Sequence, residues 1–209
     1  MAKVLNHIRI SVRLCLISVN EMRDFYLHAY GYFDRRIREL EKKGNKKNDP
    51  ESGEIIAEEI GELREHKNNS GYFAVVMMFS AFQRFLEELR DLTLDLAAVP
   101  ELREVILPSS QKNPSLEDFN SFFSRLGISL QNAPYDWAKL IRLRDYRNAI
   151  VHQSGWVTGI NRKRLSTYGH KLGEKLDVLD FVDEAGRLVD ETADQLGKNY
   201  LDVIRGKGL

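Results

Sequence analysis

The chain has 209 residues, of which 43% are hydrophobic and 30% are charged, and its formal net charge is zero. Because disorder needs fewer apolar residues and a larger net charge, this composition excludes an intrinsically disordered chain and allows one domain with a substantial core. Proteins that coat nucleic acid or anionic membranes are basic as a whole, and the zero net charge excludes that class.

The cysteine content and the apolar segments indicate where the protein works. Cys15 is the only cysteine, so no disulfide can form within the chain, which fits a reducing compartment. Residues 1–7 lack the apolar stretch of a signal peptide. The longest uncharged apolar segment, residues 72–82, is too short to span a bilayer, which takes about 20 residues. We therefore expect a soluble cytoplasmic protein with no membrane partner.

The first half of the chain is patterned as helices. Residues 4–43 carry apolar side chains every three or four positions, with Gly31 as the place where that helix would break. A polar loop over 42–53 and a short amphipathic helix over 54–64 follow. The widest apolar face begins near Tyr72 and repeats at helical spacing through Val75, Phe79, Phe82, Leu86, Leu89, Thr93 and Leu96. Such a face predicts the central helix of a bundle.

The second half is also helical. Ser115 is a predicted N-cap with Asp118 completing a capping box, and that helix stops at Gly127. Further helices are expected over 135–153 and 175–204, with prolines 50, 100, 108, 114 and 134 lying between helices. Residues 156–174 are irregular and basic, with room for a small hairpin.

These patterns predict an all-α fold, an up-and-down helical bundle with extra N-terminal helices, because no segment alternates apolar and polar residues for long enough to require a sheet. We expect a single domain over 1–209, made of an N-terminal helical cap over 1–66 and a core bundle over 71–204.

The charges are unevenly distributed. Between Lys139 and Arg164 the only acid is Asp145, and seven residues are basic: Lys139, Arg142, Arg144, Arg147, Arg162, Lys163 and Arg164. A concentration of positive charge is what a polyanion such as RNA would recognise, and a solvated helix face with an exposed loop is the alternative. Trp156 could stack on a base or cover the end of the bundle.

Three residues in the predicted helix over 135–153 form a candidate catalytic set: Arg147, Asn148 and His152. Histidine exchanges protons near neutral pH, and arginine holds a phosphate and stabilises the charge of its transition state. Asparagine can donate to a phosphate oxygen or orient the imidazole. RNA supplies its own nucleophile, the 2′-hydroxyl, so we expect no metal and no cofactor; histidines 7, 28, 66, 152 and 170 also lack the spacing of a metal site.

Helix geometry constrains this set. Arg144, Asn148 and His152 follow one stripe, but Arg147 lies about 140° from His152 around the helix. The two side chains can act on one phosphate only if the helix frays near His152 or if a second copy of the chain supplies one of them.

The sequence Arg147-Asn148-x-x-x-His152 resembles the signature of the HEPN superfamily, in which arginine and a polar residue precede a histidine after a short spacer. The flanking segments are also similar: Leu143-Arg144-Asp145-Tyr146, Gln153-Ser154-Gly155, Gly173-Glu174-Lys175-Leu176 and the helix around Phe79-Ser80-Ala81-Phe82. The resemblance covers roughly residues 71–204. One departure concerns the acidic residue that relatives often carry on the preceding core helix, where this chain has Gln83, with Glu87 and Glu88 one turn later.

The resemblance implies a HEPN-like bundle that forms a homodimer with two motifs facing each other. It also implies a metal-independent endoribonuclease that cleaves RNA through the 2′-hydroxyl, as in toxin–antitoxin or phage-defence systems, with an antitoxin or a nucleotidyltransferase as a possible partner. In this reading Arg147, Asn148 and His152 are catalytic. The RNA-binding residues are Arg142, Arg144, Arg162, Lys163 and Arg164. The alternatives are a non-catalytic HEPN module that binds nucleotide, RNA or protein, and a helical adaptor with no nucleic-acid role.

Overall fold

Residues 2–44, 50–96 and 114–206 are described in the computed structural model, and they form six α-helices and a 3-10 turn. The helices are α1 (Ala2–Gly44), α2 (Pro50–Leu96), α3 (Leu116–Arg125), α4 (Trp137–Gln153), α5 (Arg162–Leu165) and α6 (Leu179–Gly206), and the 3-10 turn is Ser166–Tyr168. Within those ranges there is no β-strand, only one isolated antiparallel bridge between Trp156 and Lys175. The all-α prediction is therefore confirmed. None of the helices in the described ranges is both long and apolar enough to cross a lipid bilayer.

The first two helices are longer and less interrupted than the sequence predicts. α1 continues through Gly31 to Gly44, and α2 starts at Pro50, a favourable first position for proline. Residues 42–44 and 50–53 of the expected loop are therefore helical. The separate helix over 54–64 was a wrong prediction, since those residues and the core segment from Tyr72 form one helix. Pro100 and Pro108 lie outside the described residues.

Packing explains why α2 does not break in its polar middle. Gly71 is buried, and a Cβ atom at this position would lie 3.1 Å from Val178 Cγ2 and 3.6 Å from Tyr26 Cε2. The preceding Ser70 donates a hydrogen bond to the carbonyl oxygen of Lys67 at 2.7 Å. The low helix propensity of this segment is thus outweighed by contacts that its small residues allow.

The chain divides into two compact units. Unit 1 comprises Met1–Val19, Met78–Asp145 and Gly186–Leu209, and unit 2 comprises Asn20–Met77 and Tyr146–Ala185. Four helices (α1, α2, α4 and α6) contribute residues to both units. The sequence-based division into a cap over 1–66 and a core over 71–204 stays a prediction.

Unit 1 contains an aromatic core around α3. The predicted capping box is present, because the Ser115 hydroxyl accepts from the Asp118 backbone amide while the Asp118 carboxylate accepts from the Ser115 amide at 2.8 Å. α3 buries Leu116, Phe119, Phe122 and Phe123. Phe123 meets the buried ring of Tyr200 edge to face, with a centroid separation of 6.5 Å. These four side chains recur at helical spacing and form the core face of α3.

Unit 2 joins α1 and α2 by ion pairs and fixes the start of α6. Arg36 Nη2 lies 3.0 Å from Glu59 Oε1, and Lys67 Nζ lies 3.0 Å from Asp34 Oδ1. The Tyr26 hydroxyl donates to the carbonyl oxygen of Leu179 at 2.9 Å. This hydrogen bond ties α1 to the first residue of α6.

Cys15 belongs to unit 1 and is buried, with 4% of its surface exposed. It lines a cavity of about 240 Å³ together with Ser11, Leu14, Ser18, Ala81, Arg84, Phe85 and Glu88. Burial, followed by the negative charges of Asp190 and Glu88, raises the pKa of the thiol from 9.0 to about 12. A rise of this size lowers the fraction of reactive thiolate about a thousandfold.

We therefore predict that a thiolate-directed reagent at about pH 8 modifies Cys15 at least a hundredfold more slowly in the folded protein than in guanidinium chloride. Mass spectrometry of the alkylated chain over time measures both rates. Similar rates in the two solvents would show that Cys15 is neither buried nor held as a thiol in the folded chain.

Candidate active site

The buried positions of the helix that carries the predicted motif wind round it. In α4 the side chains of Leu140, Leu143, Tyr146 and Ala149 are buried, each three residues after the last. Because each such step turns by about 300°, Leu140 and Ala149 lie on opposite sides of the helix. Arg147 and Asn148 are half-buried, whereas His152 is exposed in the last turn. Val151, although apolar, is 47% exposed.

Ser154 and Gly155 end α4 as the sequence predicts. Both have positive φ angles, 51° for Ser154 and 80° for Gly155, and the Gly155 amide donates to the carbonyl oxygen of Ala149 at 3.0 Å. This bond reaches one residue further back than the 6→1 bond of a Schellman motif, and it satisfies a carbonyl oxygen of the last helical turn. A Cβ atom on Gly155 would overlap the side chain of Tyr72, whose hydroxyl donates to the carbonyl oxygen of Leu176 at 2.6 Å. Glycine is therefore required here for two separate reasons.

Arg147 and Asn148 interact directly. The Arg147 Nη1 atom donates to Asn148 Oδ1 at 3.0 Å. Consecutive residues on a helix diverge by about 100°, so this contact draws the guanidinium sideways along the helix surface toward the amide. The two residues predicted to bind phosphate are thus brought together within one chain.

His152 is not brought to Arg147. α4 is helical through Gln153, so the fraying that would join the two side chains is absent from the structure. They remain about 140° apart around the helix. Among the described residues, no hydrogen bond or ion pair of the exposed His152 side chain is found.

Arg144 takes part in a charge network of unit 1. Its Nε and Nη2 atoms donate to Asp145 Oδ1 at 3.1 and 2.9 Å, and its Nη1 atom donates to Glu117. Burial opposes the charge on Arg144, but the hydrogen bonds to Glu117 and Asp145 outweigh it and raise the pKa of the guanidinium. Two carboxylates therefore pair with the Arg144 guanidinium, which the sequence predicted to bind RNA. Arg142, the neighbouring candidate, is half-buried.

The other predicted RNA-binding residues lie in a loop of unit 2 over 156–175, which we call the basic loop. Instead of a hairpin, the loop has the Trp156–Lys175 bridge at its base and the short helix α5 within it. Arg162, Lys163 and Arg164 are all exposed on α5, and Trp156 is 46% exposed. The loop thus presents three cations to solvent next to one another.

Two residues beside the motif were not singled out from the sequence. The Tyr146 hydroxyl and His170 Nε2 share a hydrogen bond of 2.6 Å, and the Tyr146 ring also packs against Tyr168 and Phe181. Glu117 was missed as well, because it lies 27 positions before its partner Arg144. The only sequence signal for the first pair is that Tyr146 directly precedes Arg147.

At the position where HEPN proteins often carry an acidic residue, the polar side chains of α2 pair with each other one turn apart. Gln83 Nε2 donates to Glu87 Oε1 at 3.3 Å, and Arg84 Nε donates to Glu88 Oε1 at 3.1 Å. Within the described ranges, no three histidine, cysteine or acidic side chains are grouped so that they could hold a metal ion.

Comparison with known proteins finds no family, no curated protein and no solved structure that matches this chain.

Proposed function

We propose that the chain is a HEPN-type, metal-independent endoribonuclease that cleaves RNA by attack of the 2′-hydroxyl. The observation that carries this proposal is the hydrogen-bonded pair Arg147–Asn148 at 3.0 Å, on a helix whose last turn carries the exposed His152. A cation and an amide held side by side suit a phosphate, and an exposed imidazole suits proton transfer. The exposed cations on α5 support an anionic substrate.

The proposed reaction needs only these groups and the RNA. The 2′-oxygen forms a bond to the adjacent phosphorus and loses its proton to a base, while the bond from phosphorus to the 5′-oxygen breaks and that oxygen gains a proton. His152 acts as the general base or the general acid. Arg147 stabilises the charge on the five-coordinate phosphorus, and Asn148 positions the phosphate. The products are a 2′,3′-cyclic phosphate and a 5′-hydroxyl.

We further propose that two copies of the chain form the site. Because α4 is regular and separates Arg147 from His152 by about 140°, one copy converges poorly on a single phosphate. In a two-fold dimer, Arg147 of one copy can face His152 of the other. Such a homodimer would have about twice the 24.2 kDa mass of one chain. A toxin or phage-defence role, with an antitoxin or nucleotidyltransferase partner, is the biological setting that the HEPN resemblance suggests.

A second candidate function is a non-catalytic module that binds nucleotide, RNA or a protein. The observation that favours it is the exposed triplet Arg162–Lys163–Arg164, since binding an anion needs these charges but no convergence of Arg147 and His152. This module would bind RNA with strong salt dependence and would leave it intact.

Cleavage assays in a chelator distinguish the two functions. We predict that the purified protein cuts a single-stranded RNA in excess EDTA, leaves the all-DNA analogue intact, and forms cyclic-phosphate ends. The matched substrate with one 2′-O-methyl group at the cleavage position should resist cutting there, because its nucleophile is blocked. Activity that disappears in EDTA and returns with magnesium or zinc would contradict the proposed mechanism, and binding without cleavage would favour the module.

A further inference from the structure

The hydrogen bond between Tyr146 and His170 has no part in the reaction proposed above. Tyr146 is 1% exposed and its ring packs against three others: its centroid is 4.8 Å from that of Phe181, 5.4 Å from that of His170 and 5.9 Å from that of Tyr168. His170 is half-exposed, and its Nε2 atom lies 2.6 Å from the tyrosine hydroxyl. The bond therefore joins the buried side of α4 to the far end of the basic loop.

The basic loop is closed at its base by backbone hydrogen bonds. The Val157 amide donates to Glu174 at 2.8 Å, the Gly173 amide donates back to Val157 at 2.9 Å, and the Leu176 amide donates to Gly155 at 2.8 Å. Within the loop, Asn161 organises the entry to α5. Its Oδ1 atom accepts from the Thr158 amide at 2.7 Å, and its Nδ2 atom donates to the carbonyl oxygen of Trp156 at 2.9 Å.

Side chains from the interior of this loop bind it to the rest of unit 2. Leu165, the last residue of α5, is fully buried, His170 bonds to Tyr146, and the Tyr168 ring packs against the Tyr146 ring. The His170 amide also donates to the carbonyl oxygen of Leu165 at 3.3 Å, so Leu165 and His170 are linked by the backbone. α5, with its cations Arg162, Lys163 and Arg164, lies between the loop base and these anchors. Because Tyr146 immediately precedes Arg147, the His170 anchor ends on the helical turn that carries the motif.

We propose that the Tyr146–His170 hydrogen bond is a latch that holds the basic loop in place beside the motif helix, so that Tyr146 and His170 are RNA-positioning residues. The latch itself rests on the contacts above, whereas its effect on RNA rests on the proposed function. An open loop would disperse the α5 cations, which weakens the capture of a phosphate backbone but leaves the chemical groups of Arg147 and His152 unchanged. The latch therefore acts on substrate affinity and not on the chemical step.

Limited trypsin digestion tests the latch without using RNA, because Arg162, Lys163 and Arg164 are themselves trypsin sites in the loop. Tyr146→Phe removes only the hydroxyl, and His170→Ala removes the partner. A partly buried hydrogen bond of about 1 kcal/mol predicts that each variant raises the rate of cutting at these sites about fivefold, since proteolysis follows the population of the open form. His170→Gln, whose amide can replace Nε2, should restore slow cutting.

Tyr135→Phe is the matched control, because Tyr135 is also a buried tyrosine whose hydroxyl makes one hydrogen bond, accepting from Asn199 Nδ2 at 2.8 Å in unit 1. Its cutting rate at the α5 sites should equal that of the wild-type chain. Hydrogen exchange of peptides from α3 reports whether any variant unfolds generally. If Tyr146→Phe and His170→Ala leave both the cutting rate and the exchange of residues 160–171 unchanged, the latch is refuted.

The positioning role is tested on a fluorescent single-stranded RNA. Both latch variants should raise KM and Kd about fivefold and keep kcat within about twofold of wild type, with rescue by His170→Gln. Faster trypsin cutting with an unchanged Kd would overturn the positioning role while the latch stands. If the wild-type chain does not cleave RNA, the proposed ribonuclease fails, and the Kd and trypsin results still decide the inference.

Discussion

His152→Ala is expected to lower the rate of RNA cleavage about 10²- to 10⁴-fold, the usual contribution of a general acid or base. Because the side chain is exposed and makes no hydrogen bond or ion pair with the described residues, its removal should leave the fold intact. Single-turnover cleavage of a labelled RNA measures the rate. The melting temperature should stay within about 2 °C of wild type, as for most exposed substitutions.

Arg147→Ala is expected to cost about 10²- to 10³-fold in the same assay, the range for removing one donor that stabilises transition-state charge. This variant also loses the hydrogen bond to Asn148. Arg147→Lys keeps the charge but loses the planar fork, so it should recover only part of the activity.

His7→Ala is a matched control for His152→Ala, since His7 is another exposed histidine, on α1. It should retain full activity. If His152→Ala and Arg147→Ala cleave RNA at wild-type rates while remaining folded, the motif is not the active site. If both unfold, the two residues have a structural role instead.

Mixing the two inactive variants tests whether the site is shared. In a heterodimer of Arg147→Ala and His152→Ala chains, one site has both substitutions and the other combines intact Arg147 with intact His152. Random exchange of chains places half of them in heterodimers, so about a quarter of the wild-type activity should return. Light scattering should show a dimer. No recovery in a mixture that demonstrably contains heterodimers would exclude the composite site.

Gly155→Ala is expected to lower the free energy of unfolding by about 2–5 kcal/mol. Part of the loss comes from the φ angle of 80°, which disfavours any residue with a Cβ atom. The rest comes from overlap with Tyr72, whose ring is buried and held by its hydrogen bond to Leu176, so that it has little freedom to move away.

Two other glycines separate these contributions. Gly169 has a φ of 89° but no atom within 4 Å of an added Cβ, so Gly169→Ala should show only the conformational cost, about 1–2 kcal/mol. Gly159 has neither constraint, and Gly159→Ala should change stability by less than about 0.5 kcal/mol. Urea unfolding gives all three values. If Gly155→Ala lowers the free energy of unfolding by only as much as Gly169→Ala, the Tyr72 ring moves aside without loss of stability.

Local patterns were sufficient for much of the fold. The capping box of Ser115 and Asp118, the buried face of α3 and the end of α4 at Ser154-Gly155 all follow from residues within a few positions of one another. These features depend on backbone hydrogen bonds and φ angles that neighbouring residues control.

Other features depended on residues distant in sequence. Gly31 and the polar segment before Tyr72 suggested breaks, but α1 and α2 continue through them, in α2 because Gly71 packs closely against Val178. Arg144 looked available for RNA until folding brought Glu117 to it.

The sequence by itself therefore determined that the chain is helical, where several helices end and which residues form the Arg147–Asn148–His152 candidate set. Only the tertiary structure decided that the charge on Arg144 is already paired with Glu117 and that His170 bonds to Tyr146. The physical reason is range: hydrogen bonds along a helix involve residues three or four positions apart, whereas ion pairs and side-chain contacts between segments depend on packing that no local pattern encodes.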